Sequence, residues 1–140
     1  MPSAPSGTEE VVFPSELEVL DSVDKTSLKY CALAGFDEQT ASMISMAAIE
    51  AVTNAVMHGN ELAGDKKVVV RYEWKPGEFS ITVSDEGEGF DLAEVPDPTD
   101  PEHFMASSGR GIYIMRQVMD SVEFDISKAR GTKVKLTKSV

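Results

Sequence analysis

Cysteine occurs once in the chain, at Cys31, so no intrachain disulfide can form and the core must hold without covalent staples, as suits a reducing compartment. Basic residues are scarce as well. Lys plus Arg number 13 against 24 Asp plus Glu, a formal charge of −11, and no Lys/Arg run makes a local exception. Such a chain would have to overcome repulsion to bind a polyanion or an anionic membrane surface, which argues against nucleic-acid binding and membrane attachment. Long apolar runs are missing too. Nowhere do about 18 uncharged apolar residues occur together, and Met1 to Glu10 lacks the basic stretch and apolar run of a secretory signal. A soluble, cytoplasmic protein is expected.

What is present is a chain of 140 residues, 41% hydrophobic, the size of one ordinary globular domain without internal repeats. Residues 1–10 are small, turn-forming or acidic and read as a flexible leader, leaving 11–140 as a single domain that starts with a short strand, Val11 to Phe13. From Ser15 to Leu33, Leu17, Leu20, Val23, Leu28 and Leu33 recur at helical spacing, with Ser15 as N-cap and Gly35 as stop. Asp37 is placed to cap a second helix running to His58-Gly59, whose stripe of Ile44, Ala47, Ala48, Ala51, Val52, Ala55 and Val56 marks it as the buried central helix.

The period then changes to two. Val68, Val70, Tyr72 and Trp74, a Lys75-Pro76-Gly77-Glu78 turn, then Phe79, Ile81 and Val83 predict an antiparallel hairpin. Residues 86–109 hold too many glycines and prolines for a regular element, and a loop of that length is usually functional. A third helix is expected from about Gly111 to Asp120. A closing hairpin follows, with Val122, Phe124 and Ile126, a turn at Lys128 to Gly131, then Val134 and Leu136. The pattern predicts an α+β, two-layer α/β sandwich with helices on one face of a mixed, mostly antiparallel sheet.

Four short segments could carry chemistry. Glu50, Asn54 and His58 follow one another at i, i+4 spacing and project from one side of the second helix. Asn oxygen is a hard ligand suited to Mg²⁺ and Glu can orient or deprotonate a nucleophile, although a solvated helix face would look the same. Asp85-Glu86-Gly87-Glu88-Gly89-Phe90 falls where a strand ends; its glycines would let backbone approach a flat ligand, and its carboxylate could accept from an amino group such as that of adenine. It is no dinucleotide fingerprint, because Leu92 stands where the third glycine belongs. Ser107-Ser108-Gly109-Arg110-Gly111-Ile112 opens a helix whose free N–H groups make an anion site, or simply a hinge and cap; no Walker-type loop occurs anywhere. Gly131-Thr132 could bring a hydroxyl near Asp85.

In this order, the run Glu50-Ala-Val-Thr-Asn54-Ala-Val-Met-His58-Gly59, Asp85-x-Gly87-x-Gly89-Phe90, Gly109-Arg-Gly111-Ile112 and Gly131-Thr132 resemble the four motif boxes of the GHKL, or histidine kinase-like, ATPases. Within that superfamily the chain is most similar to bacterial anti-sigma factor serine/threonine-protein kinases. The resemblance covers about residues 37 to 137. It implies the GHKL (Bergerat) fold, with ATP and Mg²⁺ as cofactors. It implies Glu50 as catalytic base, Asn54 as Mg²⁺ ligand, Asp85 on the adenine amino group, and Gly87 and Gly89 along the base. Gly109, Arg110 and Gly111 would meet the phosphates, and Thr132 would support the adenine-binding carboxylate. The implied partners are an anti-anti-sigma STAS-domain protein carrying the acceptor serine, a sigma factor, and a second copy in a homodimer. Relatives often carry a basic residue where Ser107 and Ser108 stand. The alternative is a nucleotide-gated binding module that holds a regulator without phosphorylating it.

Overall fold

The computed structural model describes residues 6–14, 16–56, 66–86, 107–127 and 131–140, and of 107–112, 126 and 127 the course of the backbone only. The described elements are β1 (Gly7–Pro14), α1 (Val19–Ala34), α2 (Glu38–Asn54), β2 (Lys67–Lys75), β3 (Glu78–Ser84), α3 (Ser107–Val118), β4 (Ser121–Ser127) and β5 (Gly131–Ser139). The strands form one sheet of five in the order β1-β2-β3-β5-β4, and every pairing is antiparallel where a mixed sheet was expected. Otherwise the two-layer α+β sandwich is as the patterning predicts.

Alternation decides which face of the sheet is covered. Val68, Val70 and Tyr72 of β2, Phe79, Ile81 and Val83 of β3, and Val134 and Leu136 of β5 point to the helices and are buried, while Lys67, Arg71, Lys133 and Lys135 on the other parity face outward and are exposed. Register puts Glu10 opposite Arg71, Glu123 opposite Lys135 and Asp125 opposite Lys133. Unlike charges directly across strands favour this pairing over a slipped one, by a few tenths of a kcal/mol each.

Asp37 caps α2 as expected, its carboxylate accepting from the Thr40 N–H at 2.7 Å. Ile44, Ala47, Ala48, Ala51 and Val52 are all buried, and the small side chains among them let the helix approach both α1 and the sheet. After Asn54 the backbone widens into a π-helical turn at Ala55 and Val56, both buried. The expected His58-Gly59 terminus lies outside the described residues.

Three boundaries differ from the expectation. β1 starts at Gly7, so Gly7 to Glu10 belong to the sheet and are not part of a leader, paired with Arg71 to Trp74. The recruiting group is Trp74. Its indole stacks on Tyr30 of α1 at 3.8 Å between ring centres and 8° between planes, and Gly7 lets β1 pass beside it, since a Cβ there would stand 2.6 Å from the ring. The Tyr30 phenol, pushed up to about 12 by burial and by donating to Glu9, ties the strand to α1. Second, α1 starts at Val19, not at a Ser15 cap. Its buried stripe is Val19, Val23, Ser27, Tyr30, Cys31 and Ala34, while Leu17 and Leu33 are exposed. Ser45 of α2 donates to Asp24 of α1 at 2.5 Å, a polar link between the helices. Third, α3 begins at Ser107, so the Gly109-Arg110-Gly111 segment lies inside the first turns of a helix.

The Asp37 cap makes a prediction about pH. Its hydrogen bond to the Thr40 N–H holds the carboxyl below the ordinary Asp value. The contribution is therefore complete above about pH 3.9, the unfolded value, and is lost as pH falls through the lower folded value. Thermal unfolding of Asp37→Ala should show a lower midpoint than the parent at pH 7, with the gap closing on acidification below that window. A gap that persists unchanged in acid would mean that the cap is not its source.

Candidate functional site

Where β3 and β5 separate, the ladder between them ends in a pair that does more than hold strands together. Past Ser84↔Lys133, the Asp85 N–H donates to the Thr132 carbonyl at 2.9 Å, and the Thr132 N–H donates to the Asp85 carboxylate at 3.2 Å. Asp85 is thereby held with 7% of its surface exposed, satisfied in part by backbone. Gly131 makes this possible. Its φ of +88° is the left-handed region, and a Cβ there would lie 2.2 Å from the Asp85 carbonyl oxygen and 3.0 Å from its carboxylate.

The carboxylate lines a small cavity between the layers. Its walls are Ala51, Asn54 and Ala55 from α2, Val83 from β3, Met115 from α3, Phe124 from β4 and Thr132 and Val134 from β5. The Thr132 hydroxyl is buried without a hydrogen-bond partner among the described residues. An unpartnered buried hydroxyl and a buried carboxylate, with the Asn54 carboxamide among otherwise apolar walls, are polar groups that the edge of a ligand could satisfy.

Three of the residues singled out from sequence, Asn54, Asp85 and Thr132, thus meet around one cavity although they come from distant parts of the chain. Glu50 stands one helical turn before Asn54, half-buried and outside the cavity lining. Gly109, Arg110 and Gly111 lie in the first turns of α3, which packs against α2. Gly87 and Gly89 fall outside the described residues. Sequence reasoning did not pick out Met115, Phe124, Ala51 or Ala55 as cavity walls, because in pattern they are ordinary core positions. It named Gly131 with Thr132 as the last of the four boxes but gave a role only to Thr132, and the close approach to Asp85 that requires a glycine there was not read. Among the described residues no group of three or more His, Cys, Asp or Glu is placed to hold a metal ion, and no helix is long and apolar enough to cross a membrane.

A family model for the histidine kinase-like ATPase domain matches residues 13–138. The chain belongs to the histidine kinase-like ATPase family. Its relatives include the anti-sigma F factor of Clostridium perfringens strain 13, 39% identical over 101 residues that make up 69% of this chain and 71% of that protein. The anti-sigma F factor of Bacillus subtilis strain 168 is 41% identical over 93 residues, 64% of this chain and 62% of that one. Among solved structures, the RsbU and RsbW domains of Rv1364c from Mycobacterium tuberculosis superpose with a TM-score of 0.65 at 20% identity, over 97% of this chain and 32% of that one. The mycobacterial sensor histidine kinase MprB gives 0.56 at 18% identity, over 95% and 97%. These two share the fold. The anti-sigma factor resemblance carried by the sequence boxes holds.

Replacing Gly131 by Ala should cost stability, about 1–3 kcal/mol from the left-handed backbone alone, because the side chain also meets the Asp85 carbonyl. Urea unfolding of Gly131→Ala measures it. A variant as stable as the parent would show that β5 can shift away from Asp85 without loss.

Proposed function

We propose that this protein is an ATP-dependent anti-sigma factor that phosphorylates a serine on an anti-anti-sigma, STAS-domain protein and sequesters a sigma factor. The observation that carries the reading is the convergence of Asn54, Asp85 and the unpartnered Thr132 hydroxyl on one cavity, in an ATPase-family chain whose relatives are anti-sigma factors.

In this reading adenine enters between the layers, with its amino group donating to Asp85 and its faces against Ala51, Ala55, Met115 and Phe124. Thr132 supplies a hydroxyl to the base edge, and the role along the base that the resemblance implies for Gly87 and Gly89 completes the reading. The triphosphate runs toward the start of α3, where the N–H groups that the helix leaves free, at Ser107 to Gly109, would donate to the phosphates with Arg110 next in the chain. Asn54 would offer a carboxamide oxygen to Mg²⁺, which would supply charge neutralisation for the phosphates. Glu50, one turn up on the open side of α2, takes the proton of the acceptor serine as its oxygen attacks the γ-phosphorus and ADP leaves. The work is positioning more than covalent chemistry.

The purified protein, radiolabelled ATP and a STAS-domain acceptor test this directly. Label should pass to a serine of the acceptor, and Glu50→Gln should reduce the rate by at least about a hundredfold with nucleotide still bound. Asp85→Asn and Thr132→Val should each weaken ATP binding by calorimetry, and Thr132→Val should leave unfolding stability unchanged or slightly raised, because the lost hydroxyl has no protein partner among the described residues. Nucleotide-dependent complex formation with no phosphoryl transfer would instead identify a nucleotide-gated binding module. Ser107 and Ser108, standing where relatives often have a basic residue, are the feature that favours this second reading.

A further inference from the structure

Glu50 divides the solvent side of α2 into two unlike halves. Toward the C-terminus the helix passes Asn54 and reaches the cavity that holds Asp85 and Thr132. Toward the N-terminus, at the i−4 and i−7 positions that share Glu50's side of the helix, stand Met46 and Met43. They are 51% and 44% exposed, whereas the alanines on the opposite side of the same helix are buried. Half-buried Ile49 widens the stripe, exposed Ser42 borders it, and no charged residue occurs from Gln39 to Ile49. Two large thioethers left in water contribute little to this fold, and on so acidic a chain an open apolar stripe marks an interaction surface.

We infer that Met43 and Met46 form the docking surface for the protein that presents its serine to Glu50. The inference rests on the kinase reading, since it takes Glu50 as the base. The acceptor hydroxyl has to come within about 3 Å of the Glu50 carboxylate. Bound nucleotide fills the Asn54 side, so the acceptor enters from the other. A specific protein interface covers about 800 Å² per partner, a disc about 16 Å in radius. Met46 and Met43 lie only about 6 and about 10 Å along the helix axis from Glu50. An acceptor seated on Glu50 from that side therefore covers both. The matching partner surface is an uncharged apolar patch flanking the phosphorylated serine. Methionine's flexible, polarisable side chain fits itself to such a patch without demanding one shape.

The double variant Met43→Gln/Met46→Gln keeps side-chain length and helix propensity while removing the apolar surface. Each STAS-domain protein of the source genome, purified singly, serves as acceptor with radiolabelled ATP. For an acceptor that the parent labels, the variant should raise the acceptor KM about tenfold. Its kcat, ADP affinity and unfolding midpoint should match the parent. An unchanged acceptor KM overturns the docking surface while the labelling itself leaves the kinase reading standing. So does weakened ADP binding of the same size, which would place the effect in the nucleotide site. A change of oligomeric mass in sedimentation without a change in KM overturns it in favour of contact with a second copy. Failure of the ATP-saturated parent to label any STAS protein overturns the kinase reading, and the docking surface with it.

Discussion

The buried carboxylate of Asp85 is the constraint around which the sheet and the cavity are arranged. A carboxylate removed from water needs donors, and the Thr132 N–H supplies one only if β5 comes close enough to β3 at the point where their ladder ends. That approach leaves no space for a Cβ at position 131 and requires a positive φ there. One glycine thus sets the distance between two strands, the position of a charged group and the placement of the Thr132 hydroxyl. The three residues act as a unit, so a change in any one is felt at the other two.

The other wall of the cavity depends on small side chains. Ala47, Ala48 and Ala51 let α2 lie close to its neighbours, and Ala51 and Ala55 then flank Asn54 at the cavity without filling it. Larger residues at 51 or 55 would fill that cavity. The π-helical turn at Ala55 and Val56 falls directly after Asn54, at the end of the helix that lines the cavity. The same helix therefore serves three purposes along its length. Its N-terminal half leaves methionines in solvent, its middle carries Glu50, and its C-terminal end lines the cavity.

Much of this was legible in the sequence because the signals were local. Asp37 reads as a cap, the alanine-rich stripe as a central helix, and the alternations around Gly77 as a hairpin, and each element appears with those roles. Asn54, Asp85 and Thr132 were legible as candidates only through their order in the chain, since no single spacing brings them together. What escaped depends on contacts between distant residues. The stack of Trp74 on Tyr30 draws Gly7 to Glu10 into the sheet, and nothing in the composition of those residues announces it. The α1 stripe includes Ser27, a polar residue in a buried position, while Leu17 and Leu33 lie outside it. Hydrophobicity alone found Val23, and Leu20 and Leu28 pack against the core, but it missed Ser27, Tyr30 and Cys31; Phe124 and Met115 looked like core because they are core except on the side facing the cavity.

The distribution of charge explains how so acidic a chain could hold a triphosphate. On the sheet the signs alternate across strands, so Lys135 is opposed by Glu123 and Arg71 by Glu10, and their fields largely cancel toward the helical layer. α2 carries Glu38 and Glu50 and no lysine or arginine between Glu38 and Asn54. The sequence from Glu86 to Met105 contains acidic residues and no lysine or arginine either. The cavity therefore receives no cationic side chain from α2. In the proposed site, compensation would have to come from backbone N–H groups at the start of α3, from Arg110 within it, and from a divalent cation beside Asn54. Such a site would attract Mg-nucleotide in preference to bare polyphosphate, because the second would meet carboxylates with little to offset them. The net charge of −11 would then work as selection among phosphate-bearing ligands at the proposed site.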